Sequence, residues 1–211
     1  MRLFVAITLD EPVRRALIAA QDELRQTGAD ARWVEPANIH LTLRFLGDVP
    51  ESLVPKLNEA LANACAPMLT SGAPRIPVGH RDAGHRAFSM DIVGLGAFPN
   101  ASRPRVVWAG CRELTPTLPG LYRDIESGIL GLGLPGDDLS SSAGQAGNPF
   151  MAHITLGRVK SSKGVDKLAT VINSNNSKSF GSQAVSGVTL FESKLTPSGP
   201  IYKEVARYKL G

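Results

Sequence analysis

His40-Leu41-Thr42-Leu43 lies in an apolar-rich run from Ile39 to Leu46, and His153-Ile154-Thr155-Leu156 lies in a second run from Phe150 to Val159. Successive side chains of a strand point to opposite faces. Read as strands, each run sets an imidazole and a hydroxyl on one face and apolar residues on the other. Side by side, the two strands offer two imidazoles and two hydroxyls to one site. That set suits acid–base chemistry on a phosphate: one base, one acid, and neutral donors for the phosphoryl oxygens. The chain has four histidines, and two of them open the same pattern. A single copy would carry no weight, because a His beside a Thr on a half-buried strand is usually structural.

Outward from these runs, the chain alternates strands and helices. Arg2 to Leu9 reads as a strand. Asp10 is an expected N-cap with Pro12 in the first turn, Val13, Leu17, Ala20 and Leu24 share a face, and Gly28 stops the helix. Gly47 to Pro50 turns the chain into a second helix faced by Leu53, Leu57 and Leu61. Strands are expected over Ala73–His80, Arg86–Val93 and Pro104–Ala109. A helix follows over Glu113–Leu130, its regular part delayed by Pro116 and Pro119. Asp137 to Gly147 reads as a mobile loop. A short helix over Val165–Ile172 precedes two late strands, Ala184–Ser193 and Ile201–Leu210, with a turn at Thr196–Gly199. Each half carries one H-x-T strand and two helices, the outline of an internal duplication. The expected fold is α+β: one domain over 1–211, two lobes, and two antiparallel sheets with outer helices.

An apolar content of 43% and a charged content of 20% suit a soluble globular chain of 211 residues. The net charge of +4 favours anionic partners such as RNA without demanding them. Arg and Lys are scattered, so there is no basic tail. Cys65 and Cys111 form no C-x-x-C pair, and a reduced cytoplasmic protein is the simplest account. Met1 to Leu9 is too short for a signal peptide and is followed at once by Asp10-Glu11. No apolar run is long enough to span a bilayer, so no membrane association is expected.

Other residues invite a functional reading. Arg158 ends the second motif strand and suits a phosphate clamp, although strict alternation places it opposite His153 unless the strand bulges. Arg44 shares the face of His40 and Thr42 by alternation, as a phosphate contact or a solvated cleft edge. His80 and His85 have only Asp82 nearby and make no metal set; a solvated loop is expected there. Trp33 and Phe150 flank the motifs, and core packing is expected of them over base stacking. Gly94-Leu95-Gly96 lacks the context of a nucleotide loop, and Ser141 and Ser142 have no triad setting.

The paired H-x-T-x motifs resemble those of the 2H phosphoesterase superfamily. The flanking residues narrow the likeness: Arg2-Leu3-Phe4-Val5-Ala6-Ile7, Arg32-Trp33-Val34, Leu43-Arg44-Phe45-Leu46-Gly47, Pro104-Arg105-Val106-Val107-Trp108, Gly157-Arg158 and Gly199-Pro200-Ile201-Tyr202. Nearly the whole chain resembles the bacterial and archaeal RNA 2′,3′-cyclic phosphodiesterases, once called 2′-5′ RNA ligases. It departs from them at Ala152, where the family usually has Pro, and in the stretch from Leu132 to Asn148. The resemblance implies motifs facing each other across a central cleft. It also implies hydrolysis of an RNA 2′,3′-cyclic phosphate terminus to a 2′-phosphomonoester by a monomer, without metal or cofactor. His40 would be the proton donor and His153 the proton acceptor, a direction the residues themselves leave open. Thr42, Thr155 and Arg158 would hold the phosphate. Two alternatives stand beside this reading: action on 2′-5′ linkages or small cyclic nucleotides, and a non-catalytic RNA-binding or tRNA-processing module.

Overall fold

The computed structural model describes residues 1–66, 85–113, 117–135, 150–197 and 199–211. The expected strand Ala73–His80, His80 with Asp82, and the loop Asp137–Gly147 lie outside them. The described residues form nine strands: β1 (Arg2–Thr8), β2 (Ala31–Trp33), β3 (His40–Asp48), β4 (Phe88–Phe98), β5 (Val106–Glu113), β6 (His153–Val159), β7 (Ser179–Val185), β8 (Gly187–Thr196) and β9 (Gly199–Lys209). They also form four α-helices: α1 (Glu11–Arg25), α2 (Val54–Cys65), α3 (Thr117–Leu130) and α4 (Val165–Ser174).

All strand pairs are antiparallel. The α+β class is as expected, but the two expected sheets are one continuous sheet of order β7-β4-β5-β6-β3-β1-β8-β9, with β2 also on β6. Its halves, β7-β4-β5-β6 and β3-β1-β8-β9, join through the single residue pair Leu41–Ile154. The expected strand Ala184–Ser193 is two strands in different halves: β7 pairs with β4, and β8 with β1. The break falls at Ser186, just before Gly187, where an added Cβ would sit 2.4 Å from the Tyr208 carbonyl oxygen. β2 was not expected; three residues are too few to show a period.

The helices bury the stripes that their spacing predicts. Val13, Leu17, Ala20 and Leu24 of α1 are buried, as are Leu118, Leu121, Ile125 and Ile129 of α3. In α2, Leu57, Leu61 and Cys65 are buried, while Leu53 belongs to the preceding 3-10 turn. Asp10 precedes α1 as expected but makes no side-chain cap bond; Gly28 stops the chain at φ +70°. Leu41, Leu43, Ile154 and Leu156 join the same apolar core, which leaves the histidine-bearing face of the sheet open. No helix among the described residues is long and apolar enough to cross a membrane.

The same irregularity recurs in both motif strands. Val5 pairs with Arg44 and Ala6 with Thr42, so Leu43 is an extra residue in β3. Val107 pairs with Gly157 and Trp108 with Thr155, so Leu156 is an extra residue in β6. A bulge shifts every later side chain to the other face. The second bulge is held from outside the sheet: the buried Gln21 of α1 donates from Nε2 to the carbonyl oxygens of Leu156 and Val34, both at 2.8 Å. Replacing Gln21 by Leu removes both bonds. The Leu156 carbonyl keeps its bond from the Val34 amide at 2.9 Å, while the Val34 carbonyl loses its Gln21 donor, and an acceptor left unsatisfied costs about 1–3 kcal/mol. Urea unfolding of Gln21→Leu is expected to show a lowered midpoint; an unchanged midpoint would mean the clamp adds nothing.

Candidate active site

The pair Leu41–Ile154 sets the geometry. Both side chains are wholly buried, so their neighbours in sequence point to the open face. One step along the antiparallel register sets His40 opposite Thr155 and Thr42 opposite His153. All four are half-buried. The four motif residues are therefore brought together, on one face, at the junction of the two half-sheets.

Each imidazole is anchored in the same way. His40 Nδ1 lies 2.7 Å from the Asn38 carbonyl oxygen, and His153 Nδ1 lies 2.8 Å from that of Met151. A carbonyl only accepts, so Nδ1 carries a proton in both rings and Nε2 is left to exchange one. His40 Nε2 lies 2.9 Å from Thr42 Oγ1. Aromatic walls repeat the symmetry. Phe4 and Tyr202 pack on His40 with ring centres 5.0 and 5.4 Å away, and Phe98 and Trp108 pack on His153 at 5.0 and 6.5 Å. Sequence reasoning missed these walls, although alternation along β5 places Trp108 two residues from Gly110, the partner of His153. The Trp108 indole can lie there because Gly96 has no side chain: a Cβ would be 2.2 Å from its ring.

Burial pulls both imidazoles below their ordinary range, since desolvation disfavours the charged form. In each, the backbone carbonyl bond opposes this in part. For His153 the positive charge of Arg158 lowers it further. Gly157 packs beneath Trp33 on the α1 side, so the exposed Arg158 that follows it takes the open side, where its charge also acts on Tyr202. The Leu156 bulge explains that placement.

The Leu43 bulge has the opposite effect on Arg44. Alternation puts it beside His40, but Arg44 is 2% exposed, paired with Glu126 of α3, and donates to the Phe45 and Pro135 carbonyls. Phe45 takes the open face in its stead and is 45% exposed. His85 also differs from expectation. It is buried, bonds Asp124 of α3 at 2.8 Å, and accepts at its carbonyl from the Gly211 amide. Trp33 and Phe150 are structural, as expected. Trp33 packs over Gly157 beneath the Arg25 guanidinium, and Phe150 stacks on Tyr122 with ring centres 4.2 Å apart. Burial pushes both cysteine thiols up to about 12, far from a thiolate nucleophile. Among the described residues no group of three or more His, Cys, Asp or Glu could hold a metal ion. Beside His40 a cavity of about 380 Å³ opens, walled by Tyr202, Phe191, Pro200 and Asn38.

The LigT-like phosphoesterase family model matches residues 7–77 and 137–202, and the chain belongs to this family. It is 32% identical over 210 residues to an RNA 2′,3′-cyclic phosphodiesterase of Methanothermobacter thermautotrophicus, covering 100% of this chain and 99% of the relative. It is 33% identical over 208 residues to the protein of that name from Archaeoglobus fulgidus, covering 97% and 98%. Among solved structures it is similar to TT0787 of Thermus thermophilus, with TM-score 0.71, 28% identity, and 100% and 98% of the two chains covered. It is also similar to Escherichia coli LigT complexed with 3′-AMP, with TM-score 0.71, 25% identity, and 99% and 97% covered.

The lowered imidazoles have a stability consequence. Between their folded values and the unfolded value near 6.5, the unfolded chain binds more protons than the native one. Stability therefore falls as pH drops through this window. Urea unfolding at pH 7.5 and 5.5 is expected to show a smaller loss in the double variant His40→Gln, His153→Gln than in the parent. Equal losses would mean that the imidazoles do not titrate as their burial dictates.

Proposed function

We propose that this chain hydrolyses an RNA 2′,3′-cyclic phosphate to a 2′-phosphomonoester, with His40 as general acid and His153 as general base. The observation that carries the reading is the Leu41–Ile154 register, which turns both H-x-T faces toward one site. The curated relatives' shared name supports the substrate class. In-line displacement needs a base on one side of phosphorus and an acid on the other, and two anchored imidazoles on adjoining strands supply both. His153 Nε2 takes a proton from water as its oxygen attacks phosphorus. The bond from phosphorus to the ribose 3′-oxygen breaks, and that oxygen takes the proton held on His40 Nε2. Thr42 and Thr155 donate to the non-bridging oxygens, where charge gathers. Arg158 clamps the phosphate.

Arg158 supports this direction. Its charge lowers the His153 imidazole and is not among the causes acting on His40. A cation beside one of two similar rings keeps that ring neutral and so makes it the base. The phosphate anion raises its neighbours, which returns a proton to His40 in the complex. The scheme requires no metal ion, so turnover is expected to survive EDTA; inactivation by EDTA that a divalent ion reverses would refute it.

His40→Ala and His153→Ala are each expected to lower turnover of a cyclic-phosphate-ended oligonucleotide by ~10²–10⁴-fold with the fold intact. Thr42→Val and Thr155→Val are expected to cost less than either, with ~10²–10³-fold as the upper range for a lost oxyanion donor. Retained parental activity in either folded histidine variant would sink the pairing.

The pH profile separates free enzyme from complex. Both free imidazoles lie below 6.5, so the kcat/KM bell is expected to peak on the acid side of neutrality, its limbs belonging to the coupled pair. The bound phosphate raises the acid, so kcat should peak at higher pH than kcat/KM. Coincident peaks would mean the phosphate does not sit between the rings.

A further inference from the structure

We propose a second phosphate subsite at Arg32, which holds the phosphodiester on the 5′ side of the terminal nucleotide and makes an RNA chain end, rather than a mononucleotide, the preferred substrate. The inference rests on the function proposed above and extends its site. Arg32 lies directly opposite Arg158 in the β2–β6 pairing. Its strand neighbour Trp33 packs on the α1 side against Gly157 and Arg25, so the Arg32 side chain takes the open face that the Leu156 bulge gives to Arg158. Both residues are exposed, and neither has an ion-pair partner among the described residues. Like charges directly opposite each other on adjacent strands repel. An anion lying between them removes that cost, and guanidinium forks match phosphate oxygens in pairs.

The path from the scissile phosphate to Arg32 is short. The leaving ribose oxygen is on the His40 side, where the 380 Å³ cavity opens, so the terminal nucleoside belongs there. The cavity wall includes Pro200 and Ile201. Asn38 Nδ2 holds the Pro200 carbonyl at 2.8 Å, and a Cβ on Gly199 would lie 3.2 Å from a guanidinium nitrogen of Arg32. Arg32 therefore stands at the rim of the nucleoside cavity, one residue beyond its wall. Arg158 spans the gap, acting on His153 inside the site and facing Arg32 outside it. The proposed subsite seats the terminal ribose in this cavity with its 5′ phosphate at the rim.

The test compares a 2′,3′-cyclic mononucleotide with a trinucleotide ending in the same cyclic phosphate, for the parent and Arg32→Gln. The parent is expected to prefer the trinucleotide in kcat/KM, and Arg32→Gln is expected to reduce that preference about 10-fold. Arg32→Lys, which keeps the charge, should restore part of it. Equal loss on both substrates would assign Arg32 to the cyclic phosphate and overturn the proposal, as would no loss on either. A second arm needs no turnover: affinity for a 2′-phosphate-ended trinucleotide is measured across salt concentrations. Removing one phosphate contact to a single strand lowers the slope of log affinity against log salt by about 0.7. An unchanged slope in Arg32→Gln overturns the subsite even if the parent hydrolyses nothing, whereas failure of the parent on both cyclic phosphates refutes only the proposed reaction.

Discussion

Leu41 and Ile154 face each other across β3 and β6, and through that one pair the two half-sheets become a single sheet. Antiparallel pairing fixes the step along both strands at once, so the register of this pair decides which side chains meet on the open face. With both aliphatic side chains sunk in the core, the flanking His and Thr of each motif have only the open face to occupy. A slip of one residue would send the imidazoles into the apolar core and the apolar residues into solvent. Burial of the hydrophobic residues and placement of the imidazoles and hydroxyls on the open face are thus enforced by the same constraint.

The bulges at Leu43 and Leu156 modify that arrangement at corresponding positions of the two motifs. Each reverses the alternation just after the threonine. In β3 the reversal withdraws Arg44 into an ion pair with Glu126 and presents Phe45. In β6 it withdraws Gly157 beneath Trp33 and presents Arg158. One backbone device therefore gives a hydrophobic group to one side of the site and a cation to the other. The near-symmetric motifs acquire an asymmetry of charge, which separates the two otherwise similar imidazoles. Gln21, reaching from α1 to the Leu156 carbonyl, ties this local departure to the packing of a helix.

The imidazoles themselves are tuned by opposing effects. Aromatic walls and burial favour the neutral ring, while a carbonyl on each Nδ1 fixes the tautomer and favours the charged ring. Burial is the larger effect. The free site thus holds two imidazoles that burial biases toward the neutral ring.

By itself the sequence determined the α+β class, the helical stripes of α1 and α3, and the four motif residues, because these follow from local periodicity and from a pattern repeated within one chain. It also marked Arg158 and left its face undecided, since a bulge has no signature in Leu156 or its neighbours. Tertiary structure alone decided that the expected two sheets are one, that Ala184–Ser193 divides between half-sheets, that Arg44 and His85 are buried against α3, and that Arg32 stands opposite Arg158. Each of these depends on which strand or helix lies alongside. Partners distant in the chain set bulges, pairings and buried ion pairs, and no window of local sequence contains them.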